Sequence, residues 1–244
     1  MSEQSDTITA PQGGPEGAEQ KPALSPEDRF AASLRGFGLV GILAIVLILA
    51  GNELFVPASA ILILVWVRSS RTPWQEIGYV RPRSWIGSIF VGIVFGVAFK
   101  LVMKAIVMPL LSAPAVNPSY HFLAGNTAAL PWMLYIIIIG AGFGEETLFR
   151  GWMFERFGKL LGEGKSAKIA IVLVTSNWFG LAHYPNQGLP GVQQAMIVGL
   201  VFGSIFAVSG SIFMLMVAHA AFDLTALALI YWDVEAQVAH FFFK

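Results

Sequence analysis

From position 37 to 67 the chain is almost continuously apolar, broken only by "GNELFVP" near the middle. A single helix of that length would run ~47 Å, too long for a ~30 Å hydrocarbon core. The pattern therefore predicts two short spans with a turn between Gly51 and Pro57. Further apolar stretches at 85–111, 129–149, 167–184, 191–208 and 211–232 bring the expected total to about seven. The predicted fold is all-α: a polytopic transmembrane helix bundle occupying 31–244. Residues 1–30, rich in Ser, Gly, Pro, Gln and Glu and nearly free of large apolar residues, are expected to form a disordered N-terminal tail. No cleavable signal peptide opens the chain, and no internal repeat is evident.

Composition sharpens the picture. The 244 residues are 56% hydrophobic and 12% charged, against roughly 25% charged in soluble domains. Mean hydropathy is +0.68. These values describe a multi-pass membrane protein whose first partner is the lipid bilayer. Formal net charge is zero and no basic block is present, so nothing points to a nucleic-acid partner. The absence of cysteine excludes disulfides, thiol nucleophiles and cysteine-ligated metals.

Where the charges fall matters more than their sum. Segment 68–83 carries four arginines and segment 150–168 five basic residues, whereas 112–130 and 184–190 carry none. The basic segments are expected to be cytoplasmic, which places the amino end inside and the carboxyl end outside. Trp74, Ile77, Tyr79 and Trp85, set among the arginines, suit a segment resting on lipid headgroups, with an ordinary basic connector as the alternative.

Ionisable residues inside spans are costly and rare, so each needs a partner or a watery cavity. They are Lys100 and Lys104, the group Glu145, Glu146 and Arg150, His183 near Asn177, and His219 with Asp223. The two lysines can snorkel toward water on their long stems. Glu146 and Arg150 are spaced i, i+4 with the acid first, the favourable order for an ion pair on one helix face. Glu145 points about 100° away, on the face of Phe149, without a charged helical partner. A buried, unpaired glutamate suits general-base chemistry; a helix end emerging among headgroups is the plainer alternative. His219 and Asp223, also i, i+4, can act as two ligands or as a histidine oriented by a carboxylate.

Three short patterns occur in order on these hydrophobic segments: "EETLFR" fits EExxxR, "FGLAH" fits FxxxH from Phe179, and "HAAFD" fits HxxxN/D. The chain resembles the CPBP family of intramembrane proteases, which includes type II CAAX prenyl endopeptidases and bacterial proteins linked to bacteriocin processing or self-immunity. The motif core falls within 129–232, and "WQEIGYVRP" resembles a segment that often precedes it.

The resemblance implies a bundle around a polar intramembrane cavity, in a bacterial cytoplasmic membrane, cutting a peptide or membrane-protein substrate without a covalent intermediate. Glu145 would activate a water and His183 would hold or deprotonate it. His219 and Asp223 would stabilise the oxyanion or bind a metal, while Glu146, Arg150 and Phe179 support the site.

An aspartate stands at 223 where the family more often has asparagine. An ionised carboxylate would repel an oxyanion that an amide could hydrogen-bond, so Asp223 must be protonated, orient His219, or ligate a metal. In the last case Glu145, His183, His219 and Asp223 form a donor set compatible with zinc.

Counting rise along straight spans puts Glu145 ~8 Å from the cytoplasmic edge, His219 ~13 Å, and His183 and Asp223 ~20 Å. This spread is to be closed by tilt, in a cavity expected to open to the cytoplasm. Two other readings remain: a proton-coupled transporter, against which the lack of inverted repeats speaks, and a catalytically silent immunity or scaffold protein.

Overall fold

Away from water every backbone polar group must be satisfied within its own segment, and helices do this for a lone apolar stretch. The computed structural model describes residues 25–243, and among the described residues the regular structure is entirely helical. Helix α1 (Pro26–Arg35) opens on Ser25, whose Oγ accepts the Asp28 backbone N–H at 3.1 Å. Positions 26–30, assigned above to the tail, thus belong to α1; positions 1–24 of that tail lie outside the described residues.

Helix α2 (Leu39–Ala50) follows through a bend of 56°. The expected reversal comes next, pinned where Asn52 N–H donates to Ser59 Oγ and Ser59 N–H to Asn52 Oδ1, both at 3.0 Å. Helix α3 (Ala58–Ser70) then returns.

Four helices are long and apolar enough to cross a membrane, or up to five if the bent pair of α1 and α2 counts as one. The first is Trp85–Leu110, built from α4 (Trp85–Val102), a π-helical turn (Met103–Val107) and α5 (Met108–Leu110). The second is Thr127–Leu161, in which α6 (Leu130–Tyr135) passes into a π-helical stretch (Ile136–Trp152) and then α7 (Met153–Leu161). After α8 (Lys165–Ala182) come the other two, α9 (Tyr184–Ser209) and α10 (Phe213–Tyr231). A short α11 (Glu235–Ala239) closes the described chain.

Helices occupy all seven predicted positions, but α2 and α3 have only 12 and 13 residues. Helix α8 starts on Lys165 and Lys168 and carries Thr175, Ser176 and Asn177. The loop predicted at 184–190 is drawn into α9, whose path breaks at Gly188 (φ 59°, ψ −158°).

Helix α10 is held at the centre by glycines that let backbones touch. A Cβ on Gly96 of α4 would stand 2.2 Å from the Ala218 carbonyl oxygen, and one on Gly142 would stand 2.9 Å from that of Met216. Phe202, Leu215 and Phe222 are buried around this contact, whereas Leu39, Ile86 and Val208 face outward, as lipid-facing side chains do.

Side-chain contacts sort the loops into two ends. Arg71 pairs with Glu27 and Asp28, and Lys159 pairs with Glu76 at 3.0 Å. The start of α1 and both basic segments therefore share one end. At the other, Gln187 Nε2 donates to Tyr120 Oη at 3.3 Å and Gly125 N–H to the Tyr231 carbonyl at 2.9 Å, gathering the uncharged loops with the carboxyl end.

Segment 74–79 is no loose surface strip. Ile77 is fully buried and Tyr79 Oη shares a 2.8 Å hydrogen bond with Thr147 Oγ1, so of the four residues expected at the headgroups Trp74 and Trp85 alone are exposed as such a contact would require.

Candidate functional site

A cavity of about 210 Å³ lies in the bundle. Glu145 reaches it from the π-helical stretch, His183 from the C-terminal end of α8, and His219 and Asp223 from α10. Four residues whose straight-helix depths looked incompatible thus share one space. The second long helix runs well beyond one bilayer thickness, setting Glu145 near its middle rather than near an edge. The break at His183 ends α8 at the same level.

Each imidazole is fixed by one ring nitrogen. His183 Nδ1 lies 2.8 Å from the Phe179 carbonyl oxygen. A carbonyl only accepts, so Nδ1 carries the proton and Nε2 presents its lone pair when the ring is neutral. His219 Nδ1 lies 2.7 Å from Glu146 Oε1, and its Nε2 stands 3.7 Å from both Glu145 Oε2 and Asp223 Oδ2. Of the roles open to Asp223, orienting His219 is therefore taken by Glu146. The Glu145 and Asp223 side chains are 28% and 30% exposed. Glu145 Oε2 has no hydrogen-bond partner within the protein.

Behind this layer Glu146 is completely buried and accepts from Arg150 Nη1 at 2.8 Å, the predicted i, i+4 pair. The Arg150 guanidinium lies 4.6 Å from the Phe179 ring and 5.4 Å from that of Phe202. Phe179 also meets Phe149, His183 and His219 edge-on. Phe149 packs in this aromatic cluster and does not line the cavity. Asn177 turns back to the Leu173 carbonyl at 2.8 Å on the outer face, apart from the site.

Several lining residues escaped the sequence reading. Lys100 and Lys104 do not snorkel: Lys100 Nζ donates to Gln194 Oε1 at 2.9 Å, and Lys104 Nζ to Glu235 Oε1 at 2.7 Å. Glu235 Oε2 also accepts the Asn117 N–H at 3.2 Å. The lysine spacing was visible, but Gln194 and Glu235 follow them by 94 and 131 positions.

The rim includes Pro114, Asn117, Tyr120, Gln187 and Glu235, and no residue of 68–83 or 150–168. The cavity therefore reaches toward the end carrying the uncharged loops, opposite to the opening expected above. Among the described residues no group of three His, Asp or Glu side chains stands at metal-binding spacing. His183 and His219 are each held through Nδ1, which leaves Nε2 as the ring nitrogen that faces the cavity.

Residues 127–225 match the family described as type II CAAX prenyl endopeptidase, Rce1-like. That stretch contains Glu145, Glu146, Arg150, Phe179, His183, His219 and Asp223, and the match supports the resemblance to CPBP intramembrane proteases. No curated protein and no solved structure matches the chain.

Proposed function

We propose, from the match of residues 127–225 to the Rce1-like family, that the chain is an endopeptidase acting on a peptide or membrane-protein substrate. The observation that carries the proposal is the meeting of Glu145, His183, His219 and Asp223, from three separate helices, around one cavity. Isolated polar groups that only cement helices do not need to share a space.

Glu145 takes a proton from a water that His183 Nε2 holds by its other hydrogen. The water oxygen attacks the substrate carbonyl carbon, and charge collects on the carbonyl oxygen. His219, locked by Glu146 through Nδ1, turns Nε2 toward that oxygen and donates to it as an imidazolium. Protonated, Asp223 donates as the commoner asparagine would. Collapse breaks the C–N bond, and the proton held by Glu145 passes to the leaving amine. No step is routed through a metal.

The basic end faces the cytoplasm under this reading, so the cavity takes its substrate from the opposite side of the membrane. Seven segments enter the bilayer, α2 and α3 together as a short hairpin. The test is cleavage of reporter peptides by the purified full chain in lipid nanodiscs. Turnover that disappears in Glu145→Gln is expected. Uptake of a solute driven by a proton gradient, without cleavage, would favour a transporter instead.

A further inference from the structure

Two lysines, one helical turn apart, enter the cavity and end differently. Lys104 is neutralised by Glu235. Lys100 is equally buried, yet its Nζ meets only the neutral Gln194 Oε1 and the Phe222 ring, 4.8 Å from its centroid. Among the described residues no carboxylate lies within 4.0 Å of it. An ammonium carries three donors, and Gln194 uses one. A buried cation without a direct ion-pair partner is costly, the carboxylates of Asp223 and Glu235 act on it only from beyond 4.0 Å, and both Lys100 and Gln194 line the cavity that holds Glu145.

What fits is a single negative charge. A polyanion would meet Glu145 and Asp223 in the same space, and the neighbouring lining residues Ala141, Val198, Phe222, Ala226 and Leu227 are apolar. A carboxylate on an apolar peptide satisfies both conditions. Taking the peptidase reading as given, we infer that Lys100 and Gln194 form a carboxylate-binding subsite that positions the peptide beside Glu145. Gly96 packs on Ala218, and Lys100, one turn further, reaches Phe222, the neighbour of Asp223. A carboxylate held there keeps the attached chain against the reacting groups. Its source is the C-terminal carboxylate or an Asp or Glu side chain, two sources with one chemistry.

The test uses dansylated apolar decapeptides in three forms: free C-terminal acid, C-terminal amide, and amide with one internal glutamate. Their binding to the full chain in nanodiscs is read by dansyl fluorescence, with Glu145→Gln used to prevent cleavage, and their turnover is measured on the unmodified protein. The free acid is expected to bind about 10- to 100-fold more tightly than the amide, the range for a hydrogen bond to a charged group. Recovery by the internal glutamate assigns the site to side-chain carboxylates, and no recovery assigns it to the C-terminus.

Lys100→Met should erase the preference by weakening the acid forms alone, raising KM more than it lowers kcat. Lys100→Arg should retain it. The comparison among peptides on the unmodified chain does not depend on any variant folding. Equal binding of all forms, or no binding of any, overturns the inference. A preference without turnover would sink the peptidase reading and leave the subsite standing; turnover without preference does the reverse.

Discussion

Glu146 and His219, 73 positions apart in the chain, share a 2.7 Å hydrogen bond between Oε1 and Nδ1. The same oxygen receives Arg150 Nη1 at 2.8 Å, so one buried carboxylate both neutralises the arginine and fixes the histidine. Glu146→Gln keeps an acceptor oxygen but removes the charge that both partners meet. A charge left without its partner in a buried site costs up to ~3 to 5 kcal/mol, and the variant should show lower yield and an earlier thermal transition. Its folded fraction should also cleave more slowly, because the His219 imidazolium loses its negative partner. Normal stability with normal turnover would show that neither bond matters.

Glu145→Gln keeps shape and removes the base. Cleavage should fall by about 10²- to 10⁴-fold while the thermal transition stays in place, since Glu145 Oε2 has no hydrogen-bond partner within the protein to lose. If this protein cleaves normally while well-folded Glu146→Gln is inactive, the two glutamates have exchanged roles.

Asp223→Asn tests the metal question. The proposed reaction uses no metal, and an amide can hydrogen-bond an oxyanion, so the variant is expected to stay within about tenfold of the parent, a single hydrogen bond's worth. Chelators should leave both proteins active. Bound zinc on elemental analysis, with activity lost on chelation and in Asp223→Asn, would establish a metal enzyme.

Sidedness can be read with thiol reagents because the chain has no cysteine. Gln75, Ser166, Thr127 and Asn186 are exposed. Single cysteines at Gln75 and Ser166 should label from the cytoplasmic side, and those at Thr127 and Asn186 from the opposite side. Labelling of Gln75 and Thr127 from the same side would contradict the two-ended arrangement of the loops.

The sequence made legible what is local. The reversal between Gly51 and Pro57, the pair of Glu146 with Arg150, and the shared helix face of His219 and Asp223 all depend on neighbours within a few positions. What it concealed is non-local. The acceptor of His219 comes from another helix, and the buried ends of Lys100 and Lys104 depend on Gln194 and Glu235. Nor does spacing along one helix reveal that Phe149 packs on Phe179 of another. Counting rise along straight spans misjudged the second long helix, which reaches past one bilayer thickness, and with it the end toward which the cavity reaches.

The bond of Glu235 to both Lys104 and Asn117 N–H makes the last helical turn part of the cavity wall. Anything fused directly behind it would pull on that wall, so an affinity tag or fluorescent reporter belongs ahead of α1, which contacts the opposite set of loops. Trimming the chain back to Asp233 would remove Glu235, leaving Lys104 exposed to the cavity as a second unmatched cation. Such a shortened protein should collect anions indiscriminately, blurring whatever selectivity Lys100 confers.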